Sequence, residues 1–492
     1  MSSPPYDAIV IGSGAGGAAA AFRLVSSGLR VLVLEKGGRL PGDGSTLDVQ
    51  RVVHDGEYLS RERWLDGAGK PLTPEEHFNV GGKTKWYGAA LLRFNAHEFL
   101  PDGAYGCLGW PISSSDLTPY YEQAERLLGV RTFDCEPDLA AILGRLSTSA
   151  SGWQAWPMPL GLSADIVSDR NEAAHFDGFA SVRNLKGDAE TSLLGALRGR
   201  ANFTLLADAE VEALLGDPGA AATVTGVRLH DGREFRAPRV LLAAGALHSP
   251  RLLSRYLTDN GLSSALPAGA LVGRYLKLHL LTAMVSLSPG TKTDLLRKTM
   301  LLVNERFPHS SVQPLGFDGA LIETLLPRFL PRVLRRALAN RAYGFFLQTE
   351  DGSDLGNRVQ AQTLPVLDYD AARSPRATQE HSAFTRALQW ALLKAGLVSF
   401  TKRIGLNGTA HACGTLVCGR GPADSVVDAD GRVHGMTGLY VVDGSVLPRS
   451  SRVNPSLTIY AWGLKVADTL ARGFVAASPD RSRTHAEAAH VA

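Results

Sequence analysis

The sequence predicts a fold of the α/β class, α+β overall, with one parallel sheet and one mostly antiparallel sheet. Three observations predict it. A short apolar strand, a glycine-rich turn, a helix and a second strand follow one another between Tyr6 and Glu35. Strands that run into glycine turns recur at 240–253 and 439–459, which is typical of parallel sheets. Between 276 and 398, strand-like runs alternate with helices and indicate a second domain.

The first turn has the spacing of a dinucleotide-binding motif. Gly12 allows the tight turn, Gly14 lets the backbone approach a pyrophosphate, and Gly17 lets the helix pack closely on the strand. Phosphates would lie at the helix N-terminus, where free N–H groups favour an anion. Glu35 ends the second strand, where a carboxylate can accept both hydroxyls of a ribose. This pattern predicts a Rossmann-like domain that binds NAD or FAD, since an acid here argues against the 2′-phosphate of NADP. Further candidate contacts are Ser13, Ala15 and Lys36.

Composition limits the class of protein. The chain has 492 residues, 45% of them apolar and 20% charged, which is ordinary for a globular protein of two or three domains. A net charge of +3 without a dense basic stripe argues against a nucleic-acid partner. The four cysteines lack metal-ligand spacing, so we expect no metal site and a reducing compartment. Because there is no apolar run of about 18 residues and no room for a signal peptide before Tyr6, we expect a cytoplasmic protein without a membrane partner.

A second glycine-rich stretch, NVGGKTKWYGAA, spans residues 79–90. Paired glycines followed by a threonine and aromatic residues indicate a backbone that presses against a flat or anionic ligand. A plain glycine turn is the alternative. The candidate contacts are Gly81, Gly82, Thr84, Tyr87, Gly88 and Ala89.

The middle of the chain supplies strands and a helix. Ser115 or Asp116 can cap a helix that runs to about Leu128. Residues 132–185 have weak periodicity and are expected to form irregular structure over a pocket. Asp231-Gly232 predicts a hairpin turn. Strands are predicted at 201–206, 210–214, 223–230, 234–237 and 240–243.

Residues 324–342 combine apolar side chains at helical spacing with five arginines. Pro327 and Pro331 should break or kink this helix. A basic amphipathic helix can lie on a membrane or on a partner subunit. The more ordinary interpretation is a core-packed helix with a solvated basic face.

The C-terminal block, residues 408–470, carries candidate chemistry. A strand at 439–442 ends at Asp443-Gly444, and a helix begins after Asn454 with a proline in its first turn. Taken singly, His411 would be a hydrogen-bonded loop histidine and Asn454 an N-cap. Because strands from both ends of the chain can share one sheet, the positive end of this helix would face the ligand, with His411 and Asn454 on one face.

Together these stretches resemble the glucose–methanol–choline (GMC) family of flavoprotein oxidoreductases over nearly the full chain. The VIGSGAGG and LEKG segments resemble the family's FAD-binding start, and residues 272–279 resemble its VGRNLxxH turn. Residues 245–253 match most of a family signature, from which Tyr256 departs where a serine is usual. The HACGT, YVVDGSVLP and NPSLTIYAWGLKVAD segments resemble its C-terminal active-site block.

The resemblance implies an FAD-dependent oxidation of an alcohol. His411 matches the active-site histidine, which takes the hydroxyl proton as hydride leaves carbon for flavin N5. Asn454 matches a position that is histidine or asparagine, and an asparagine can orient the hydroxyl but cannot act as a base. Trp86 fills the place of a histidine through which some relatives attach the flavin, so non-covalent FAD is expected. The implied cofactor contacts in the later segments are Val211, Ala244, Gly245, Asp443, Gly444, Asn454, Pro455 and Ser456.

Two substrate-pocket candidates complete the prediction. Glu323 resembles a strand carboxylate that some sterol-oxidising relatives place beside the substrate, with a surface or salt-bridged glutamate as the alternative. Gln348 is a further candidate. The expected substrate is a sugar, glycoside, polyol or related small alcohol, and the expected electron acceptor is oxygen or another acceptor. A hydrophobic alcohol such as a sterol, an NAD-linked dehydrogenase, a flavin monooxygenase and a non-catalytic FAD-binding subunit remain open.

The resemblance also implies a discontinuous domain organisation, the GMC fold. Residues 1–95, 190–275 and 405–475 are expected to form the FAD-binding domain. Residues 96–189 and 276–404 are expected to form the substrate-binding domain, and 476–492 a disordered tail.

Overall fold

A computed structural model describes residues 5–150, 152–326 and 329–477, so most of the predicted tail, from residue 478 onward, lies outside the described residues. The strands are β1 (Ala8–Ile11), β2 (Val31–Leu34), β3 (Trp64–Asp66), β4 (Pro71–Leu72), β5 (Trp153–Pro157), β6 (Phe203–Leu206), β7 (Val211–Asp217), β8 (Ala220–Leu229), β9 (Glu234–Arg236), β10 (Val240–Leu242), β11 (Leu280–Leu287), β12 (Met300–Asn304), β13 (Ser310–Pro314), β14 (Ala342–Thr349), β15 (Arg358–Gln360), β16 (Val366–Asp368), β17 (Val398–Arg403) and β18 (Leu439–Val441). The α-helices are α1 (Ala15–Ser26), α2 (Ser114–Leu128), α3 (Pro137–Ser149), α4 (Arg170–His175), α5 (Ser249–Asp259), α6 (Gly319–Leu325), α7 (Arg332–Ala339), α8 (Pro375–Lys394) and α9 (Ser456–Ala477).

A five-stranded parallel sheet has the order β18-β10-β1-β2-β6. Its strands are short apolar runs, and β1, β2 and β10 are completely buried, as expected for a parallel sheet covered on both faces. Only β10 separates β1, near the start of the chain, from β18, near its end. The predicted mixed α/β class with a Rossmann-like unit is therefore confirmed.

Helices α1 and α9 pack closely against each other beside this sheet. Glycines allow the close approach, because a Cβ on Gly463 would lie 2.6 Å from the carbonyl oxygen of Gly16. A Cβ on Gly16 would overlap the carbonyl of Val442, just after β18. The small-residue segment that the sequence places in α1 thus lets both chain ends meet at the same edge of the sheet.

A six-stranded antiparallel sheet has the order β17-β11-β14-β13-β12-β5. One face packs against α3 and α8 through a separate apolar cluster that includes Met284, Phe345 and Phe384. This is the mostly antiparallel sheet that the sequence predicts. Its strands all come from the ranges expected to form the substrate-binding domain, and those of the parallel sheet all come from the other ranges.

Two smaller sheets complete the fold. The first, β7-β8-β9, contains the hairpin predicted at Asp231-Gly232, where Gly232 has a φ of +88°. The second, β15-β16-β3-β4, joins strands from both expected domains, and the domain boundaries stay a prediction.

Two segments differ from the sequence analysis and one confirms it. Residues 132–185 contain α3, α4 and the strand β5 in place of the irregular structure expected there. The basic segment 324–342 is interrupted as predicted, since α6 ends at Leu325 and α7 begins at Arg332, after Pro331. The helix after Pro455 reaches Ala477, seven residues beyond the end of the C-terminal block at residue 470. Within the described ranges, none of the helices has the length and apolar character needed to span a bilayer.

Candidate active site

A cleft of about 1090 Å³ lies at the carboxyl edge of the parallel sheet and extends under the antiparallel sheet. This volume exceeds that of most small-ligand pockets, about 300–1,000 Å³, and leaves room for a dinucleotide and a small substrate. The predicted residues that line it are Gly12, Ser13, Gly14, Ala15, Glu35, Lys36, Gly82, Thr84, Tyr87, Gly88, Ala89, Val211, Ala244, Gly245, His411, Asp443, Gly444, Asn454, Pro455 and Ser456. Four predicted residues do not line it: Gly17, Gly81, Glu323 and Gln348.

The turn between β1 and α1 has the geometry of an anion cradle. Gly12 has a φ of +106°, and a Cβ at Gly17 would overlap the carbonyl oxygen of Gly12. In contrast, a Cβ on Gly14 would have no atom within 4 Å, because this residue faces the open cleft. No side chain caps the N-terminus of α1, whose first N–H groups are left for a ligand such as a pyrophosphate.

Glu35 fixes this turn from the end of β2. Its carboxylate accepts hydrogen bonds from the Ser13 backbone N–H at 3.0 Å and the Ser13 hydroxyl at 2.6 Å. Its other oxygen accepts the N–H of Gly37 at 3.1 Å. Burial raises the pKa of Glu35 above its ordinary value. The Gly81 N–H donates to the Ser13 hydroxyl at 2.9 Å, so Gly81 supports the turn from behind without lining the cleft.

Asp443 connects the loops that follow β10 and β18. One carboxylate oxygen accepts hydrogen bonds from the Gly245 N–H at 2.8 Å and the Ser249 hydroxyl at 2.5 Å, and the other accepts the N–H of Ser445 at 2.9 Å. Burial raises the pKa of Asp443. The carboxylate therefore holds two walls of the cleft together, as well as lining it.

The glycine-rich stretch 79–90 forms a short 3₁₀ turn over Gly82–Lys85 and then an extended wall of the cleft. The Thr84 hydroxyl donates to the Gly81 carbonyl at 2.6 Å, and the Trp86 indole N–H donates to Asn79 Oδ1 at 2.9 Å. His77 stacks on Trp86 with 4.7 Å between ring centroids. The sequence analysis did not single out His77, which also lines the cleft.

His411 and Asn454 meet in the cleft. The Asn454 amide nitrogen lies 3.3 Å from His411 Nε2, and the Asn454 oxygen accepts a hydrogen bond from Gln313. The His411 Nδ1 atom lies 2.9 Å from Nδ1 of His279, whose Nε2 lies 2.7 Å from the carbonyl oxygen of Ser451.

This series of hydrogen bonds fixes the tautomers of His279 and His411. A carbonyl only accepts, so His279 Nε2 carries hydrogen and donates to Ser451. Burial lowers the pKa of His279, and a neutral His279 accepts at Nδ1. His411 Nδ1 must then donate, which leaves a lone pair on Nε2, the atom that faces Asn454.

Burial and nearby positive charges keep the His411 imidazole neutral. Burial lowers its pKa well below the ordinary histidine value, and His279, Lys298 and Lys83 lower it further. The side chain is nevertheless partly exposed to the cleft. An imidazole in this state is a free base at neutral pH.

The carbonyl of Ser451 is itself held in place. Ser451 has a φ of +66°, which is uncommon for a residue other than glycine. Its hydroxyl donates to Glu98 at 2.6 Å, and its N–H donates to Glu350 at 3.2 Å. Arg449 holds Glu350 with two further hydrogen bonds of 2.8 and 2.6 Å. Two buried carboxylates thus stabilise a strained backbone whose carbonyl orients His279.

Two pocket predictions need correction. Glu323 lies on α6, not on a strand, because Asp318 caps that helix by accepting the Leu321 N–H at 2.9 Å. Its carboxylate lies 3.6 Å from Arg332 and outside the cleft.

Gln348 lies on β14 but beneath the cleft wall. Its amide donates to the Arg452 carbonyl at 2.7 Å and to the Ser311 hydroxyl at 3.2 Å. Phe346, two residues earlier on the same strand face, lines the cleft instead.

Several residues that line the cleft or support it have no role in the sequence analysis. His279 is the last residue of the VGRNLxxH-like turn, which marks its position but not its role, and it supports His411 without lining the cleft. Gln313, Asp177 and Lys298 line the cleft with no sequence signal, because each becomes significant only through partners distant in the chain.

Together with the relatives described next, the fold and this cleft place the protein among the FAD-dependent oxidoreductases that act on alcohols. Residues 354–463 match the family model described as GMC oxidoreductase, and residues 10–58 match that of an NAD(P)-binding Rossmann-like domain. The chain is 31% identical to 6'''-hydroxyparomomycin C oxidase of Streptomyces lividus, over 95% of this chain and 91% of that protein. It is 30% identical to paromamine 6'-oxidase of Streptomyces fradiae, over 96% of this chain and 92% of that protein. The chain belongs to the GMC oxidoreductase family.

A solved structure agrees with this fold. Pyridoxine 4-oxidase from Mesorbium loti superposes with a TM-score of 0.65 at 18% identity, over 94% of this chain and 99% of that one. At this identity the likeness concerns the fold alone.

Proposed function

We propose that the protein oxidises a carbinol of a sugar, glycoside, polyol or related small molecule to a carbonyl, with His411 as the base. The observation that carries this proposal is the unshared pair on His411 Nε2, directed into the cleft by the hydrogen bond from His411 to His279. A histidine that acts as a general base must be neutral and within reach of the proton that it abstracts.

The residues that would hold FAD follow the cleft. The N-terminus of α1 would bind the pyrophosphate, and Glu35 a ribose. The loop from Gly82 to Ala89 and the N-terminus of α9 would bind the flavin ring. Bound FAD supplies the two-electron acceptor for the hydride that leaves the carbinol carbon.

The chain's own groups would handle the proton. The substrate hydroxyl would lie beside His411 Nε2 and the Asn454 amide nitrogen, which are 3.3 Å apart, donating to the first and accepting from the second. As the carbon–hydrogen bond breaks, the hydroxyl proton passes to Nε2 and the carbon–oxygen double bond forms. Asn454 stabilises negative charge on the oxygen but cannot accept a proton, so His411 is the sole base of the pair.

The polarity of the cleft favours a hydroxylated substrate over a sterol. Gln313, Lys298 and Asp177 line the cleft together with Leu315 and Phe346. The two relatives described above are named 6'''-hydroxyparomomycin C oxidase and paromamine 6'-oxidase, which supports a sugar-like substrate. A hydrophobic alcohol would leave Asp177 Oδ1 and the remaining ammonium hydrogens of Lys298 without a hydrogen-bond partner in the cleft.

The test is anaerobic reduction of the bound flavin by a panel of alcohols. His411→Ala should retain FAD and reduce it at least about 100-fold more slowly than the wild type. His97→Ala, which changes an exposed histidine, should reduce it at the wild-type rate. Normal reduction in His411→Ala would remove the base role, and no reduction of the wild-type flavin by any alcohol would favour a non-catalytic FAD-binding subunit.

The acceptor and the location belong to the same proposal. Oxygen or another acceptor reoxidises the flavin, and parallel assays with oxygen and artificial acceptors distinguish the two. Cys107, Cys135, Cys413 and Cys418 are all free thiols, which supports a reducing, cytoplasmic compartment.

A further inference from the structure

Asp177 and Lys298 form an ion pair in the wall of the cleft that the mechanism above does not use. The ammonium donates to Asp177 Oδ2 at 2.9 Å. The side chains are only 12% and 7% exposed, and both line the cleft that contains His411 and Asn454. The two residues come from different parts of the chain, Asp177 after α4 and Lys298 before β12.

The pair has unused hydrogen-bonding capacity. Asp177 Oδ2 also accepts the backbone N–H of Gly316 at 3.0 Å. Among the contacts of the described residues, Oδ1 accepts no hydrogen bond and the ammonium makes no second one. Desolvating two charges is costly, and the cost is smaller when a ligand satisfies the remaining donors and acceptors.

The pair lies at the reacting end of the cleft. The positive charge of Lys298 contributes to the lowered pKa of His411, so the ammonium is within electrostatic range of the base. A Cβ on Gly88 would overlap both Asp177 Oδ1 and Lys298 Nζ. Gly88 belongs to the loop proposed to bind the flavin ring, so the pair is packed between that loop and the substrate space.

Resting on the proposed function, we propose that Asp177 and Lys298 together bind a second hydroxyl of a polyhydroxylated substrate. The ammonium donates to the hydroxyl oxygen, and Asp177 Oδ1 accepts the hydroxyl hydrogen. A hydroxyl is both donor and acceptor, so it satisfies both partners. A hydrogen or a methyl group in its place leaves Asp177 Oδ1 and the remaining hydrogens of the ammonium without a partner, and an ammonium group meets the like charge of Lys298.

The inference is tested by pairing protein variants with deoxy substrates. The measured quantity is the second-order rate constant for anaerobic flavin reduction by methyl α-D-glucopyranoside and its 2-, 3- and 4-deoxy analogues. In the wild type, one analogue should react about 10- to 100-fold more slowly than the parent glycoside, the loss expected for hydrogen bonds to charged groups. In Asp177→Asn, in Lys298→Met and in the double variant, the parent should slow to the rate of that analogue.

A matched control changes an ion pair that lies outside the cleft. Glu125→Gln breaks the contact of 2.6 Å between Glu125 and Arg93. It should preserve the deoxy penalty, which is the ratio of the rate constant of the parent glycoside to that of the slow deoxy analogue. The absorbance of bound FAD checks that each variant is loaded, and Asp177→Asn keeps an oxygen for the Gly316 N–H.

The outcomes separate this inference from the proposed function. A deoxy penalty that is unchanged in both single variants overturns the role of the pair. The role of the pair is also overturned if all four glycosides reduce the wild-type flavin equally, or if only other alcohols reduce it. In both cases the proposed oxidation of an alcohol still stands. A flavin that no alcohol reduces overturns the proposed function.

Discussion

The Nδ1 atoms of His279 and His411 lie 2.9 Å apart, and the ring of His279 donates at its other end to the Ser451 carbonyl. One hydrogen bond thus decides which nitrogen of His411 faces the substrate. His279 does not line the cleft, so it acts on the reaction through the orientation of its neighbour.

His279→Ala should slow flavin reduction by about 10- to 100-fold while FAD remains bound. Without its acceptor, His411 Nδ1–H is unpaired and the ring can adopt the other tautomer, whose Nε2 carries a hydrogen and cannot act as a base. Stopped-flow reduction under anaerobic conditions measures the effect. A rate equal to that of the wild type would show that the tautomer is fixed by other contacts.

The pH dependence of reduction should reflect the lowered pKa of His411. Burial and nearby positive charge disfavour the imidazolium, so the base form persists below the ordinary histidine pKa of about 6.5. The rate constant should therefore be constant through neutral pH and fall only in more acidic solution, as His411 becomes protonated. Lys298→Met removes one of the positive charges and should move this fall to higher pH. A wild-type rate that is already halved near pH 7 would contradict the assignment.

Gly14→Ala and Gly17→Ala should fail in different ways. The added Cβ at Gly14 enters the open cleft, so the free energy of unfolding of the apoprotein should stay within about 0.5 kcal/mol of the wild-type value. The variant should nevertheless bind FAD at least about tenfold more weakly, because the Cβ occupies space that the cofactor needs. The added Cβ at Gly17 overlaps the Gly12 carbonyl and should destabilise the fold by about 1–3 kcal/mol. Denaturant unfolding of the apoproteins and flavin titration distinguish the two. Equal unfolding free energies would refute the contrast.

Lys186→Met should destabilise the wall of the cleft. The buried ammonium donates to three backbone carbonyls, those of Tyr87 at 2.9 Å, Phe176 at 2.8 Å and Phe179 at 2.5 Å. Removing the ammonium leaves three buried carbonyl acceptors without a donor, which should lower the free energy of unfolding by about 3 kcal/mol or more. The Tyr87 carbonyl belongs to the loop proposed to bind the flavin ring, and the Phe176 carbonyl precedes Asp177. FAD should therefore also dissociate more readily. Lys402→Met, on the exposed edge strand β17, is the control and should leave the melting temperature unchanged.

The flavin should be released on acid precipitation if, as the family resemblance implies, Trp86 takes the place of the histidine through which some relatives attach the flavin. The Trp86 indole N–H is already committed to Asn79, and an indole does not form such a bond readily. Yellow colour retained in the denatured pellet would contradict non-covalent binding. His77→Ala would then test attachment at His77, the stacked neighbour of Trp86 that also lines the cleft.

Much of the nucleotide-binding half follows from local sequence. The strand–turn–helix–strand from Ala8 to Leu34 forms as predicted, because apolar runs, glycine positions and helix starts are determined within a few residues of one another. The start of α9 next to Pro455 follows from the same kind of signal.

The substrate side depends on contacts between distant residues. His279 and His411 are separated by 132 positions, and Asp177 and Lys298 by 121, so no spacing rule joins them. Glu323 lies on a helix and not on a strand, because the Asp318 side chain caps the segment that begins at Gly319. Gln348 is covered by the Arg452 backbone, which comes from the C-terminal loop 104 residues further along the chain.

The strand order of the parallel sheet also bears on the protein's synthesis. In a nascent chain, β1, β2 and β10 are synthesised well before β18 and α9, which complete the cleft. The cleft can therefore form only after the C-terminal block has been made, and a truncation within α9 would remove part of the surface that packs on α1.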